Sequence, residues 1–138
     1  MKTDVRWQQR FQNFCAALKL LERCINHGKK QRFNEMEELA LIQSFEITYE
    51  LAWNCMKDYC QSFFSIEIGG SKDAIFHAFN NKLIDDGKIW LEMVVDRIQT
   101  VHAYNEKIAH HIAGAIVKKY YSEFLKLEKK LSTLKEKS

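Results

Sequence analysis

The stretch RIQTVHAY, residues 97–104, brings together three side chains that could act on a phosphate group. Arg97 offers a planar set of donors that matches phosphate oxygens. His102 has a reference pKa of about 6.5 and can give or take a proton at neutral pH. Together they could cleave RNA without a metal ion, because His102 would move the 2′-hydroxyl or leaving-group proton while Arg97 neutralises charge on the phosphorus oxygens. Tyr104 adds a ring that can stack on a base and a hydroxyl that can accept a modifying group.

Helix geometry limits how these groups can converge. At about 100° per residue, Arg97 and His102 lie roughly 140° apart on a continuous helix, whereas Arg97 and Tyr104 nearly align. Either the helix ends between Arg97 and His102, or the groups meet across a dimer. Asn105 followed by Glu106 is typical of a new helix start and favours the break. Spacing alone leaves a solvated helix face as the alternative interpretation.

The first two helices that must support this segment are indicated by apolar periodicity. Residues at spacings of three and four predict an amphipathic first helix that ends at His27–Gly28; they are Trp7, Phe11, Phe14, Leu18, Leu21 and Ile25. Asn34 and Glu37 form a capping-box pattern at the start of a second helix. That helix carries two apolar stripes and is therefore predicted to be central in a bundle.

Four polar residues are weaker candidates for a binding site. Glu46 lies within an apolar stripe of the second helix and Glu50 lies beside it, so both carboxylates can face inward and would then need partners. Asp96 and Thr100 flank Arg97 in the sequence.

The remaining sequence predicts helices only. A short helix over about 72–82 is capped by Ser71, another begins at Asp85 or Asp86, and a long terminal helix follows Asn105 with a lysine-rich outer face. Proline is absent, which favours uninterrupted helices. We therefore expect a single all-α domain over residues 1–138, an antiparallel four-helix up-and-down bundle with one additional short helix.

Composition excludes several classes of protein. The chain has 138 residues and a net charge of +3, a mildly basic balance that permits a nucleic-acid partner without indicating one. It has neither a signal-peptide pattern nor an apolar run long enough to span a bilayer, so we expect no membrane partner and a cytoplasmic location. The four cysteines lack metal-ligand spacing, and no nucleotide-binding or hydrolase motif is present. We expect no metal and no cofactor.

Two separated blocks resemble one known family. Residues 38–60, ELALIQSFEITYELAWNCMKDYC, and residues 72–109, KDAIFHAFNNKLIDDGKIWLEMVVDRIQTVHAYNEKIA, resemble the nucleotidyltransferase substrate-binding protein family of the HEPN superfamily. The resemblance implies a small helical bundle, usually a homodimer. It also implies a partner, a minimal nucleotidyltransferase encoded by an adjacent gene.

The same resemblance implies roles for residues 97–104. HEPN ribonucleases carry an arginine and a histidine at the spacing of Arg97 and His102, and the toxin members of HEPN–nucleotidyltransferase toxin–antitoxin pairs add a tyrosine at the position of Tyr104. In such pairs the nucleotidyltransferase uses ATP to transfer AMP onto that tyrosine and silences the ribonuclease. The resemblance thus implies that Arg97 and His102 are catalytic, that Tyr104 is modified, and that RNA or a nucleotide is a further ligand.

Ile98 departs from the family pattern. Relatives usually have a polar residue, often Asn, directly after the arginine, and an isoleucine cannot donate a hydrogen bond to a phosphate. The alternative is therefore a non-catalytic subunit that binds nucleotide or substrate for a two-component nucleotidyltransferase.

Overall fold

The computed structural model describes residues 2–30 and 32–137, with the side chains of residues 2–5 excepted. Every regular element in these residues is helical, which confirms the predicted all-α fold. The elements are α1 (Lys2–Lys30), α2 (Glu35–Phe64), α3 (Ser71–Asn80), α4 (Gly87–Gln99), a 3-10 turn (Thr100–His102), α5 (Glu106–Ala115), a π-helical turn (Ile116–Tyr120) and α6 (Tyr121–Lys137). None of these described helices is both long and apolar enough to cross a membrane.

Helix α2 is the centre of the bundle. It packs along α1 and also contacts α3 and α5, while α6 packs on α1 and α3 packs on α4. The wide apolar arc predicted for α2 is the reason, because side chains from both of its stripes are buried against different neighbours. Phe45 of α2 stacks on Tyr120 with ring centroids 5.5 Å apart, and Trp90 of α4 meets Phe124 edge-on at 5.6 Å.

Three helix starts predicted from local sequence are confirmed. Asn34 and Glu37 exchange reciprocal bonds of 2.8 Å at the start of α2. The Asp86 carboxylate accepts from the Ile89 N–H at 3.1 Å at the start of α4. Asn105 accepts from two backbone N–H groups at the start of α5. Each cap pairs N–H groups that have no partner inside the helix.

Two other boundaries differ from the prediction. Helix α1 continues through Gly28 to Lys30, and the ring of Phe33 packs where a Cβ on residue 28 would lie. The glycine at position 28 permits that close approach and does not end the helix. Ser71 is the first residue of α3 and not its cap; the cap is Gly70, which supplies no side-chain bond.

The terminal helix contains a π-helical turn at Ile116–Tyr120, which the sequence did not predict. Tyr120 lies at its end, is 1% exposed, and donates to the Asp96 carboxylate of α4 at 2.5 Å. Burial raises the pKa of Tyr120, and the neighbouring carboxylate raises it further. The phenol therefore stays protonated and satisfies a buried acid.

Helix α3 ends in a motif that normally uses glycine. Leu83 N–H bonds to the Ala78 carbonyl at 2.8 Å and Lys82 N–H bonds to the Phe79 carbonyl at 3.2 Å, which is the Schellman pattern. Lys82 has φ of 63°, in the left-handed region. A side chain in that region costs about 1–2 kcal/mol, so this lysine occupies a strained backbone position.

Replacing Lys82 by glycine should relieve that strain. We expect Lys82→Gly to raise the free energy of unfolding by about 0.5–1 kcal/mol, after subtracting the larger unfolded-state entropy of glycine. Lys19→Gly, at an exposed site inside α1, should lower it by about 1 kcal/mol. Urea denaturation followed by circular dichroism measures both; a similar loss in the two variants would contradict the strain.

Removing the Tyr120 hydroxyl should leave the Asp96 carboxylate without its buried donor. We expect Tyr120→Phe to lower the free energy of unfolding by about 1–3 kcal/mol. Tyr121→Phe is the matched control, because Tyr121 donates to an exposed acid, Glu22, at 2.7 Å; its loss should stay within about 0.5 kcal/mol. Equal losses in urea denaturation would show that the Asp96 contact adds nothing to stability.

Candidate functional site

The RIQTVHAY stretch spans the end of α4 and the connection from α4 to α5. Helix α4 ends at Gln99, the 3-10 turn carries Thr100–His102, and α5 begins after Asn105. The predicted break between Arg97 and His102 is therefore confirmed. A 3-10 turn has three residues per turn and not 3.6, so His102 leaves the angular position it would hold on a continued α-helix.

Arg97 is held by two carboxylates of α2. Its Nη1 donates to Glu46 Oε2 at 3.0 Å, and its Nε donates to Glu50 Oε1 at 3.2 Å. The Trp53 indole N–H donates to the other oxygen of Glu50 at 2.8 Å. Glu46 and Glu50 are four residues apart and so project from the same face of α2. The expectation that these acids face inward is not met, because both side chains remain partly exposed, but each has Arg97 as its partner.

Thr100 completes this cluster. Its Oγ accepts from Arg97 Nη1 at 3.0 Å and lies 2.9 Å from Glu46 Oε2 and 2.7 Å from the Arg97 carbonyl. Its single proton can be donated to only one of those two oxygens at a time. Arg97, Glu46, Glu50 and Thr100 therefore form one network, which we call the arginine cluster.

The arginine cluster is accessible to solvent and carries a net negative charge. The side chains of Arg97, Glu46 and Glu50 are 29%, 32% and 45% exposed, so water screens their ion pairs and each adds at most about 1 kcal/mol to stability. One guanidinium against two carboxylates leaves a formal charge of −1. The main effect of the pairs is to fix the direction in which the guanidinium points.

Asp96 lies apart from the arginine cluster. It is 7% exposed and faces the terminal helix, where Tyr120 bonds one carboxylate oxygen and His111 Nε2 lies 3.6 Å from the other. Of the four weaker candidates, the structure brings three to Arg97 and places Asp96 in a separate contact between α4 and the terminal helix.

His102 and Tyr104 form a second, exposed group. The Tyr104 hydroxyl lies 3.5 Å from His102 Nδ1, and their rings meet edge to face with centroids 6.0 Å apart. Tyr104 is 78% exposed. Within the residues that the structure describes, no hydrogen bond joins Arg97 to His102. A single chain thus holds the arginine and the histidine–tyrosine pair on adjacent turns without a hydrogen bond between Arg97 and His102.

An exposed apolar surface adjoins both groups and was missed by the sequence analysis. Leu91, Val95, Ile98 and Val101 project from α4 and its 3-10 turn, and Ile98 is 63% exposed. The first two of these, with Phe76 and Phe79 of α3, border a groove of about 630 Å³, lined also by Lys72, Ile75, Gly87, Lys88 and Glu92. We define the apolar face as six residues: Phe76, Phe79, Leu91, Val95, Ile98 and Val101. Its signal was present, since positions 91, 95 and 98 repeat at helical spacing beside the buried residues Trp90, Met93 and Val94.

The described side chains form no metal cluster, and two of the cysteine thiols stay protonated. No three described histidine, cysteine or acidic side chains cluster closely enough to hold a metal. The four cysteines are free thiols. Burial raises the pKa of Cys15 and of Cys60 to about 11, so both remain protonated near neutral pH.

Solved structures share this architecture. HI0074 of Haemophilus influenzae, described as revealing the fold of a substrate-binding domain of a nucleotidyltransferase, superposes with a TM-score of 0.76 and is 25% identical. The protein ttk003001694 of Thermus thermophilus superposes with a TM-score of 0.72 and is 26% identical. Each alignment covers 88% of this chain and 98% of the other. Among curated proteins, none matches the sequence.

A family model covers nearly all of the bundle. It is described as nucleotidyltransferase substrate binding protein like and matches residues 9–133, which include the arginine cluster, His102 and Tyr104. Both blocks that carried the resemblance lie within this range. The chain belongs to the nucleotidyltransferase substrate-binding protein family, whose name implies a nucleotidyltransferase as partner.

Proposed function

We propose that this chain is the toxin component of a HEPN–nucleotidyltransferase pair, a metal-independent endoribonuclease that acts through Arg97 and His102 and is silenced by AMP transfer to Tyr104. The observation that carries the proposal is the placement of Tyr104. Its hydroxyl is exposed to a modifying enzyme and lies 3.5 Å from the imidazole that would perform the chemistry. A group attached there would stand directly against His102.

The silencing reaction is a phosphoryl transfer. The Tyr104 oxygen attacks the α-phosphorus of an ATP held by the nucleotidyltransferase, a phosphate ester forms, and pyrophosphate leaves. The phenol proton passes to a base or to solvent. The attached AMP adds negative charge and bulk beside His102. An RNA phosphate would then be repelled from the place where it must dock.

Cleavage requires Arg97 to meet a phosphate while Glu46 and Glu50 hold it. Nε and Nη1 are occupied by the carboxylates, whereas Nη2 has no hydrogen-bond partner among the described residues. That nitrogen is the edge of the guanidinium that can donate to a phosphate oxygen. His102 would move the proton of the attacking 2′-hydroxyl or of the leaving oxygen.

A homodimer is part of the proposal, and the apolar face supports it. Leu91, Val95, Ile98 and Val101 expose neighbouring apolar surface beside Arg97, and exposed patches of this kind mark association surfaces. A two-fold axis through this face would bring the Arg97 of one copy toward the His102 of the other. Ile98 would then serve the interface and not the phosphate. We propose that this chain and its nucleotidyltransferase act in the cytoplasm, where their substrates RNA and ATP are present.

A second candidate is the non-catalytic subunit that binds nucleotide or substrate for its nucleotidyltransferase. Two observations favour it. Ile98 supplies no hydrogen bond where relatives usually have a polar side chain, and the arginine cluster has a net negative charge. In this candidate Arg97 has a structural role, linking α4 to α2, and RNA is not a substrate.

Modification of Tyr104 is tested by co-expression. With the nucleotidyltransferase of the adjacent gene and ATP, we expect the intact mass of this chain to increase by whole AMP units and peptide mapping to place them on Tyr104. Tyr104→Phe should gain none, whereas Tyr121→Phe should gain as much as the parent. An AMP gain that persists in Tyr104→Phe would assign the modification to another residue and contradict the proposal.

Ribonuclease activity is tested on the unmodified protein. We expect it to cleave tRNA or mRNA, and Arg97→Ala or His102→Ala to slow cleavage by about 100-fold or more, the usual contribution of such groups. His110→Ala is the matched control, because His110 is exposed and pairs only with Glu38 among the described residues. If the parent leaves RNA intact and His102→Ala does not alter growth on expression, the ribonuclease proposal fails.

A further inference from the structure

The arginine cluster cannot by itself attract a polyanion. Its two carboxylates exceed its one guanidinium, yet RNA carries a negative charge at every phosphate. Affinity for a nucleic-acid backbone comes mainly from lysine and arginine side chains that neutralise phosphates. The chain as a whole has a net charge of +3, so its excess positive charge lies on other surfaces, and a local concentration of it would be needed to capture a strand.

One such concentration is a pocket between α6 and the connection from α3 to α4. It has a volume of about 440 Å³. Four lysines and two acids contribute to its wall, leaving a formal charge of +2: Lys82, Lys126, Lys129, Lys130, Asp85 and Glu123. We call it the lysine pocket. Its net charge is thus opposite in sign to that of the arginine cluster.

Three of these lysines are available to a ligand. Lys126 is engaged, since it lies 3.1 Å from the buried Glu123 carboxylate and 3.7 Å from Asp85. Lys82, Lys129 and Lys130 are exposed and have no ion pair among the described residues. The buried acid thus anchors one ammonium group, and the other three can turn toward a bound anion.

The strained backbone at Lys82 is an independent observation at the same place. Glycine would fit the left-handed C-terminal position of α3 at lower free-energy cost, yet a lysine stands there and lines the pocket. Residues held in unfavourable backbone conformations are common at ligand sites, where the side chain is needed for binding. The pocket therefore combines concentrated charge with a lysine that the fold alone does not favour.

The lysine pocket and the arginine cluster lie near opposite ends of α4. The helix from Gly87 to Arg97 is about 15 Å long at 1.5 Å per residue. The terminal helix runs antiparallel beside α4, as the Lys126–Asp85 and Lys119–Glu92 contacts at 3.7 and 2.9 Å record. Lys119 is paired with Glu92 and adds no net charge between the two sites, so the sites are related by distance alone.

We propose that the lysine pocket binds the sugar-phosphate backbone of single-stranded RNA and holds the strand whose scissile phosphate lies at Arg97 and His102. The choice of RNA rests on the proposed ribonuclease function. Lysine contacts of this kind position a strand without reading its sequence. An acidic protein surface is the competing occupant; RNA is favoured because the proposed cleavage needs a surface that neutralises phosphates, and the arginine cluster does not supply one.

The test separates binding from cleavage. Fluorescence anisotropy with a short 2′-O-methyl RNA oligonucleotide, which the proposed reaction cannot cleave, measures affinity over a range of salt concentrations. We expect the triple variant Lys82→Gln, Lys129→Gln, Lys130→Gln to bind about 10- to 100-fold more weakly, with the salt dependence of binding reduced by about two to three charges. Lys126 is retained so that Glu123 keeps its partner.

A matched control removes the same charge from another surface. The triple variant Lys19→Gln, Lys29→Gln, Lys30→Gln alters exposed lysines of α1 and should bind RNA nearly as tightly as the parent. Equal losses in the two triple variants would overturn the pocket and leave only a general charge effect. Lys82→Gly guards against a folding artefact, because it should weaken RNA binding without reducing stability.

The remaining outcomes distinguish this inference from the proposed function. A parent that does not bind the oligonucleotide overturns the inference. Normal RNA binding by the pocket variant together with lost co-purification of the nucleotidyltransferase also overturns it, since the occupant would then be a protein. Lysine-dependent RNA binding by a parent that never cleaves RNA supports the lysine pocket while removing the ribonuclease.

Discussion

The Arg97 guanidinium is the point at which the two halves of this site are joined. Two carboxylates one helical turn apart on α2 hold it by Nε and Nη1, and Thr100 bonds it from the first residue of the 3-10 turn. The end of α4 is thereby fixed against the central helix of the bundle. His102 and Tyr104 follow within four residues, so the direction in which they project depends on this attachment. The contact also determines the charge of the site, because both acids come with the arginine.

This charge arrangement separates two tasks that one site often performs together. The arginine cluster can orient a single guanidinium edge, but it adds no net positive charge with which to attract a strand. In the proposed function, capture of a polyanion depends on other surfaces, and the chemistry depends on the exposed groups near the α4–α5 junction. Both tasks belong to particular side chains and not to the bundle. Ile98 illustrates the point, because its exposed side chain suits association better than phosphate binding.

Local sequence predicted what local chemistry controls. The caps at Asn34, Asp86 and Asn105 were predictable because each involves residues within a few positions of one another. The end of α1 was not predictable in this way, because Gly28 allows the ring of Phe33, which follows the helix, to pack closely against it. The partnership of Arg97 with Glu46 and Glu50 joins residues 51 and 47 positions apart. Periodicity showed that those acids needed partners, but only the packing of α4 on α2 identifies the partner.

The π-helical turn at Ile116–Tyr120 changes which faces of the terminal helix pack on the neighbouring helices. A π turn closes its hydrogen bond one residue later than an α turn, so side chains beyond it are rotated by about 100° from the phase of a continuous α-helix. Helix α5 accordingly packs on α2, while α6 packs on α1. One helix thus serves two partners, with Tyr120 at the changeover bonded to Asp96. Because of this one extra residue, the direction in which the lysines of α6 project is independent of the direction in which the side chains of α5 project.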